Sequence, residues 1–354
     1  MKRAFLSVLI LVVFSVIFFG CCKDCNCPEC PPENDTNIDP PYIISVDGPT
    51  EVTVGNSADF SCEVLSDAPI DSFLWDLEPS FDLASDYYYP AAGSEEGEWT
   101  PTGERPDIFN ADIVDTNASF IYGKRGIYTA VLEIKDNDGY IEFGNTIVQV
   151  DPETPDTFAD IVQLAPGLQD TIYSSTFEAL NYGLYASDGC MASVYADSFN
   201  TLHSMAYIDS FSGPEDRYVQ EWISTGKRLH VFTGEPTPAD VRVDYDISSA
   251  MHLWDAADID YVQVTVYLNI IHEDNGRSYL FHLLRQRFTS ADGEAYYLNS
   301  HHNMNCPFDF NGGFYTLWFG VKIDIYSSQG GAAFCMDNSD NFVKLNYIYI
   351  DLNK

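Results

Sequence analysis

Long runs in which apolar and polar side chains alternate residue by residue are the feature that most restricts the fold of this chain. In Tyr261 to Ile271, every second residue from Val262 to Ile270 is Val, Leu or Ile. The same alternation recurs from Phe314 to Tyr326 and from Tyr347 to Leu352. Successive side chains of a β-strand point to opposite faces, so each run predicts a strand with one buried face. The chain is therefore expected to be all-β.

The composition agrees with strands and excludes one class of partner. Tyr and Phe contribute 23 residues each, and aromatic side chains favour strands. Asp and Glu number 54 against 17 Lys and Arg, which gives a formal net charge of -37. So negative a surface repels nucleic acid, which excludes DNA or RNA binding. The acidity keeps an exported domain soluble and is compatible with loose binding of calcium, but it names no partner.

The N-terminus has the pattern of an export signal. Lys2 and Arg3 precede an apolar run from Ala4 to Gly20. This run is short of the ~20 residues that a spanning helix needs, and it does not end in a basic stop-transfer flank. Residues 1–20 are therefore predicted to be a cleaved signal peptide, with an uncleaved anchor as an alternative.

Gly20 followed by Cys21 resembles the lipobox of prokaryotic lipoproteins, although Phe18 stands where Leu is usual. The resemblance implies cleavage before Cys21 and lipidation of its thiol. The protein would then be exported and held at the cell surface, or on the outer face of the membrane, by a lipid anchor. An ordinary signal peptide remains the other interpretation.

Residues 21–40 are predicted to be a tether rich in cysteine and proline. Four thiolates would suit zinc or an iron–sulfur cluster. Outside the cytoplasm thiols tend to oxidise, and no apolar pattern flanks these cysteines to enclose a metal. Disulfides are therefore favoured and no metal site is predicted. The five cysteines are Cys21, Cys22, Cys25, Cys27 and Cys30.

Short alternating runs separated by turn residues fill residues 41–152. Seven strands in about 110 residues is typical of an immunoglobulin-like sandwich. The runs are Tyr42 to Val46, Glu51 to Val54, Ser57 to Val64, Ser72 to Leu77, Ala118 to Tyr122, Ile127 to Lys135 and Tyr140 to Val150.

Three segments in this region resemble the PKD domain family in order and spacing. They are Trp75-Asp76-Leu77, Phe120-Ile121-Tyr122 and the stretch from Gly126 to Gly139. The family's Trp-Asp-Phe-Gly-Asp-Gly run is only half kept, because Leu77-Glu78-Pro79-Ser80 replaces its glycines. The resemblance implies an immunoglobulin-like sandwich that acts as a spacer or as a contact module for proteins or carbohydrates.

Individual residues of this region have predicted structural roles. Trp75 should fill the space between the sheets, and Tyr128 should bury its ring while its hydroxyl binds a backbone group. Asp136-Asn137-Asp138-Gly139 is read as a hairpin turn. A calcium loop starting at Asp136 would need a carboxylate at its twelfth position, which is Ile147.

An insertion between Leu77 and Ala118 carries aromatic residues among carboxylates. Exposed aromatics on a loop can form a contact surface, since their rings give much contact area at low entropy cost. Packing back onto the edge of the sandwich is the alternative. The aromatics are Tyr87, Tyr88, Tyr89 and Trp99.

Residues 153–354 again alternate with period two and are predicted to form a larger, jelly-roll-like β-sandwich. The outward positions of its two longest runs mix aromatic with amide side chains. Aromatic rings stack on the apolar faces of sugars, and amides bind their hydroxyls. A solvated sheet face with stabilising aromatic pairs is the alternative. The candidate binding residues are Gln263, Tyr267, Asn269, Trp318 and Tyr326.

Signals for catalysis are weak. The motifs of zinc proteases, serine hydrolases and nucleotide-binding loops are absent from the sequence. His282, Arg285, Arg287 and Tyr297 resemble the residue types of polysaccharide lyases. Strict alternation, however, predicts that His282 lies on the opposite face of its strand from Arg285 and Arg287.

Together these features predict a surface lipoprotein with a non-catalytic role in binding or adhesion. Its partner would be a glycan or a surface protein, and the membrane would be reached through the lipid anchor. An extracellular polysaccharide lyase or glycosidase with a PKD spacer is the first alternative. A structural envelope protein is the second.

Overall fold

The computed structural model describes residues 41–78, 111–187, 190–208, 217–254, 259–292, 295–328, 331–335 and 342–353. Within them the regular structure is β-strand apart from two short 3-10 turns, Ser174–Thr176 and Ser290–Asp292. The all-β prediction is confirmed. None of these ranges holds a helix long and apolar enough to cross a membrane. The predicted signal peptide, Cys21 and the tether lie outside the described residues.

The first eight strands form a sandwich of two sheets. One sheet has the order β1-β3-β6, and it faces strands that pair in the order β5-β4-β7-β8-β2. The strands are β1 (Tyr42–Asp47), β2 (Glu51–Thr53), β3 (Ser57–Leu65), β4 (Ile70–Asp76), β5 (Ile113–Val114), β6 (Asn117–Ile121), β7 (Gly126–Asp136) and β8 (Ile141–Asp151).

The core of this sandwich contains both predicted packing residues. Trp75 is fully buried, and its indole Nε1 donates a hydrogen bond of 2.9 Å to the carbonyl of Asp115. The buried Tyr128 donates its hydroxyl to the carbonyl of Lys124 at 3.1 Å. A large ring buried between the sheets and a hydroxyl bonded to nearby backbone are what an immunoglobulin-like sandwich places at these positions.

A tight turn joins β7 to β8, as the sequence predicts. The carboxylate of Asp136 accepts backbone N–H groups from Asp138 at 3.0 Å and from Tyr140 at 2.8 Å. Gly139 has φ +90°, a left-handed conformation that glycine adopts without strain. The Asp136 side chain thus organises a hairpin by binding its own backbone.

The remaining thirteen strands build the larger sandwich. One of its sheets has the order β11-β14-β19-β16-β17, with β9 paired to β14. The other contains β10, β21, β15, β20, β13 and β12, with β18 paired to β15. The strands are β9 (Val162–Leu164), β10 (Gln169–Tyr173), β11 (Ala179–Ala186), β12 (Cys190–Ser198), β13 (Thr201–Ile208), β14 (Arg217–Val231), β15 (Thr237–Trp254), β16 (Ile259–His272), β17 (Arg277–Phe288), β18 (Ala295–Phe310), β19 (Gly313–Ser327), β20 (Gly331–Cys335) and β21 (Phe342–Asp351).

The alternation read from the sequence correctly assigns the buried face of these strands. Every second residue of β16 from Val262 to Ile270, and of β19 from Tyr315 to Ile325, is buried in the core between the sheets. Burying each Val, Leu or Ile contributes about 1.5–3 kcal/mol, so these two strands alone carry much of the folding free energy. The intervening residues face the outside of the sheet.

The two sandwiches share one continuous sheet. The first two residues of β7 pair with β12, with Gly126 opposite Tyr195 and Ile127 opposite Val194. Beside this pairing the buried hydroxyl of Thr129 donates to the carbonyl of Ala192 at 2.7 Å. The chain from residue 40 to 354 forms one compact unit, and the division near residue 152 stays a prediction.

The segment between the sandwiches is fixed by charged side chains. The carboxylate of Asp156 binds Arg125 and accepts the backbone N–H of Leu180 at 2.8 Å. Further along, the ammonium of Lys227 lies 3.4 Å from Asp160 and 3.5 Å from Glu178. Lys227 is fully buried, and a buried ammonium needs such partners to offset its lost hydration.

We expect Gly126→Ala to destabilise the protein. A Cβ at residue 126 would lie 2.0 Å from the carbonyl oxygen of Val194, so the strand pairing between the sandwiches would have to open. The free energy of unfolding should fall by about 1–3 kcal/mol, measured by urea denaturation. Gly123→Ala is the control, since a Cβ there meets no atom within 4 Å, and its effect should stay within about 0.5 kcal/mol. Equal effects of the two substitutions would contradict the close approach.

Candidate functional site

The outward face of the sheet β11-β14-β19-β16-β17 collects most of the candidate binding residues in cross-strand rows. Residues directly opposite each other on neighbouring strands have Cβ atoms about 4.5–5.5 Å apart, so each row is a line of immediate neighbours across the sheet. Read from β14 through β19 and β16 to β17, four successive rows are Gln220-Asp324-Gln263-Arg287, Trp222-Lys322-Thr265-Arg285, Ser224-Gly320-Tyr267-His282 and Gly226-Trp318-Asn269-Leu280.

Three aromatic rings on this face each lie over a glycine of a neighbouring strand. A Cβ built on Gly226 would meet three atoms of the six-membered ring of Trp318 at 2.7–2.9 Å. A Cβ on Gly320 would lie 2.7 Å from Cζ of Tyr267, and one on Gly183 would lie 2.0 Å from Cζ2 of Trp222. Only residues without a side chain allow rings to approach the backbone so closely. We call this outward face, with its rings of Trp222, Tyr267 and Trp318, the platform.

The five predicted binding residues all lie on the platform. Gln263, Tyr267 and Asn269 are on β16, and Trp318 and Tyr326 are on the adjacent β19. Asn269 is directly opposite Trp318, while Tyr326 lies at the far end, opposite Tyr261 and stacked on it at 6.1 Å between ring centroids. Along β16, the distance from the first row at Gln263 to the last row at Asn269 is about 20 Å, at ~3.3 Å per residue.

Polar side chains between the rings are held in place by hydrogen bonds. Asn269 accepts the hydroxyl of Ser278 at 2.6 Å, which leaves its amide nitrogen for another acceptor. The carboxylate of Asp324 binds both Lys322 at 2.9 Å and the amide nitrogen of Gln220 at 2.7 Å. Fixed hydrogen-bonding groups beside apolar rings are the combination that small-molecule sites use for orientation and specificity.

Sequence reasoning missed Trp222 and the three glycines. Trp222 lies on β14, whose alternation was not recognised, and it faces the platform beside Lys322. A signal was present, because Gly183, Gly226 and Gly320 interrupt strands rich in β-formers, and a glycine inside a strand marks a close approach. The other predicted contact residues, Tyr87, Tyr88, Tyr89 and Trp99, lie outside the described residues.

A β-bulge overturns the prediction that His282 faces away from Arg285 and Arg287. The register of β16 with β17 shifts between Val266, opposite Leu284, and Tyr267, opposite His282. The extra residue restores His282 to the outward face, which is how bulges redirect side chains. Tyr297, grouped with these residues in the sequence, instead lies on β18 in the other sheet.

The described carboxylates of the platform are not paired as those of a glycosidase are. Asp324 lies opposite Gln263 of β16, and Glu273 follows the end of the same strand. Ten residues separate Gln263 from Glu273, so the two carboxylates are roughly 30 Å apart. Glycosidases hold two carboxylates within about 5–10 Å. Burial raises the pKa of Tyr267, although a hydrogen bond with Ser224 lowers it in part. A catalytic tyrosine base would need its pKa shifted in the opposite direction.

A second polar cluster lies on the outward face of the other sheet and is closed on itself. The amide nitrogen of Asn346 donates to Asp244 at 3.0 Å and to Asp246 at 2.9 Å, and Asn303 donates to Asp244 at 2.8 Å. His301 Nδ1 lies 2.9 Å from Asp246. Because these groups bind one another, the cluster is best explained as structural. In the described part of the chain, no group of three or more His, Cys, Asp or Glu side chains is placed to hold a metal ion.

Comparisons with known proteins identify neighbours of the fold only. No protein-family profile and no curated protein matches the sequence. A structure of carbohydrate-binding modules from the β-sandwich superfamily has 12% identity and a TM-score of 0.24, covering 88% of this chain and 98% of its own. Fibronectin(III)-like modules of Clostridium thermocellum CbhA have 10% identity and a TM-score of 0.21, covering 52% and 85%.

A third neighbour is SGBP-B of a Bacteroides ovatus mixed-linkage glucan utilization locus, solved in complex with a mixed-linkage heptasaccharide. It has 11% identity and a TM-score of 0.20, covering 83% of this chain and 99% of its own.

We expect Gly226→Ala to lift Trp318 off the sheet. The added methyl group would lie 2.7–2.9 Å from the ring, so the indole must move. Tryptophan fluorescence and near-UV circular dichroism should change while far-UV circular dichroism does not. Gly234→Ala is the control, because a Cβ at that position meets nothing within 4 Å. Identical spectra for the Gly226→Ala variant and the wild type would show that the ring does not lie over the glycine.

The cluster around His301 should make stability depend on pH. The hydrogen bond with Asp246, aided by the charge of Asp244, raises the pKa of His301 above its usual value, although burial opposes the shift. A raised folded-state pKa adds stability below the unfolded-state pKa of about 6.5, and this stability is lost as pH rises through the folded-state pKa. The melting temperature lost in His301→Gln should therefore be larger at about pH 5.5 than at about pH 8.5.

Asp246→Asn provides the control for this measurement. The carboxylate of Asp246 is the main cause of the raised pKa of His301. Without it this pKa should fall toward its usual value, and the effect of His301→Gln should depend less on pH. A constant loss of melting temperature across the pH range in both backgrounds would contradict the proposed coupling.

Proposed function

We propose that the protein binds glycans through the platform and does not cleave them. The observation that carries the proposal is the set of three rings, Trp222, Tyr267 and Trp318, laid over glycines of neighbouring strands. Rings held flat against a sheet offer their faces to the C–H faces of pyranose rings. Amide and carboxylate groups between them, at Gln263, Asn269 and Asp324, supply partners for sugar hydroxyls.

The dimensions of the platform favour an extended saccharide over a single sugar. The four rows together cover about 20 Å along the strands, from Gln263 to Asn269, and aromatic rings occur at several points along that length. An oligosaccharide lying along the strands would contact more than one ring at once. Several weak stacking contacts made by one ligand add to its affinity without a deep pocket.

We extend the proposal to location and architecture. The export signal and the lipobox-like Gly20-Cys21 support a lipid-anchored protein exposed at the cell surface. The PKD resemblance of residues 41–152 supports a spacer or contact module between the tether and the binding sandwich. Presentation away from the membrane suits capture of a polymer or adhesion to a surface.

A polysaccharide lyase is the second candidate function, and one observation favours it. The bulge in β17 places His282 directly opposite Tyr267 and on the same face as Arg285. An arginine, a tyrosine and a histidine together can bind a uronate and move a proton. Burial raises the pKa of Tyr267, so proton abstraction by its phenolate would need a pH above the usual range of the tyrosine pKa.

A glycan array probed with the full-length chain in mild detergent, with calcium or with a chelator, tests the proposal. Trp318→Ala and Tyr267→Ala should each weaken binding by at least about tenfold, because each removes a stacking face from the centre of the platform. Tyr349→Ala is the matched control, since this tyrosine occupies an outward position of the opposite sheet, and it should bind like the wild type.

Product release, followed in parallel by absorbance of an unsaturated uronate and by reducing ends, distinguishes the candidates. Retained glycan without product supports the binding function, and product formation supports the lyase. Unchanged affinity in both platform variants would place binding elsewhere. No binding across the array would favour a structural role in the envelope.

A further inference from the structure

The outward positions of β17 form a row of basic side chains along the edge of the platform. Arg287 is opposite Gln263, Arg285 is opposite Thr265, and the bulge brings His282 opposite Tyr267. All three basic side chains are exposed. We call these three residues the basic strip.

Carboxylates are scarce on the platform, although the whole chain has 54 acidic residues against 17 Lys and Arg. In the cross-strand rows from Tyr261 to Ile271, the outward positions of β11, β14, β19, β16 and β17 include one carboxylate, Asp324. Lys322 neutralises it at 2.9 Å. At the end of the platform Arg228 and Glu273 likewise form a pair, with Arg228 Nε 3.0 Å from both Glu273 carboxylate oxygens. Arg285 and Arg287 therefore leave the platform locally positive.

The two arginines are held in place by neutral groups of the platform. Arg285 donates its Nε–H to the amide oxygen of Gln263 at 3.1 Å, and the guanidinium carbon of Arg287 lies 3.8 Å from the centre of the Tyr261 ring. Among the described residues neither arginine forms an ion pair with a carboxylate. Both guanidinium groups are thus oriented by neutral partners.

We propose that the glycan bound by the platform is anionic and carries carboxylate or sulfate groups. This inference rests on the proposed function, since it assigns the ligand of the same face. A guanidinium binds a carboxylate or sulfate through two parallel hydrogen bonds, and an arginine oriented beforehand loses little entropy in doing so. A locally positive strip is also what lets an anionic polymer approach a chain of net charge -37.

Matched pairs of polymers test the inference and separate the two anionic groups. Polygalacturonate is compared with fully methyl-esterified pectin for the carboxylate, and heparin with desulfated, carboxyl-reduced heparin for the sulfate. Affinities for the full-length chain are measured by isothermal titration calorimetry at low and high salt. The wild type should prefer one anionic member by at least about tenfold, and this preference should fall with salt.

The double variant Arg285→Gln and Arg287→Gln should reduce that preference to near unity while neutral saccharides still bind. Arg242→Gln is the matched control, because Arg242 lies on the opposite sheet with its guanidinium carbon 5.7 Å from the Tyr349 ring centre, and its side chain is 52% exposed. It removes one positive charge from the opposite sheet, where Arg242 also lies 3.9 Å from the carboxylate of Asp240, and is compared with each single arginine variant of the basic strip. Equal melting temperatures would show that all variants are folded.

The outcomes separate the inference from the proposed function. Equal binding of the anionic and neutral members, lost in Trp318→Ala, would overturn the inference and retain the glycan-binding platform. An anionic preference that survives the double variant would also overturn it, because the charge selection would then lie elsewhere. Absence of binding to every polymer would overturn both.

Discussion

The structure depends on burying the inward side chains of the sheet β11-β14-β19-β16-β17 against the other sheet of the larger sandwich. From Val262 to Ile270 in β16 and from Tyr315 to Ile325 in β19, every inward side chain is aliphatic or aromatic and nearly inaccessible to solvent. Because side chains alternate strictly, fixing this face also fixes which residues face outward. A slip by one residue would turn Gln263, Tyr267 and Asn269 toward the core and turn five aliphatic side chains outward. The platform is thus a consequence of the same pattern that builds the core.

Glycines determine the shape of the outward face. Rings normally stand away from a sheet, since the side chains of the neighbouring strands occupy the space beside them. Gly183, Gly226 and Gly320 remove that obstacle, and Trp222, Trp318 and Tyr267 fill the spaces they leave. A glycine within a strand lowers stability, and the aromatic ring that covers it restores packing. The result is a face on which three aromatic rings lie close to the sheet among polar side chains.

The alternation of apolar and polar residues along the chain predicted strand positions and buried faces correctly. The strands from Tyr42 to Val150, the inward faces of β16 and β19, and the roles of Trp75 and Tyr128 could all be read from residues near one another in the chain. The bulge beside Leu284 could not, because it is a property of the pairing between β16 and β17 and not of either strand alone. For the same reason the sequence did not reveal the ring of Trp222 over Gly183 or the pairing of β7 with β12.

The pairing of β7 with β12 has a mechanical consequence. Two domains joined by a flexible linker reorient freely, so a pull on one end first straightens the linker. Here the first sandwich continues into the sheet of the second, and Asp156 and Asp160 fasten the connecting segment to Arg125 and Lys227. A force applied between residue 41 and the platform would load interstrand hydrogen bonds and ion pairs from the outset. The two sandwiches would therefore transmit such a force as one stiff body, with little slack between them.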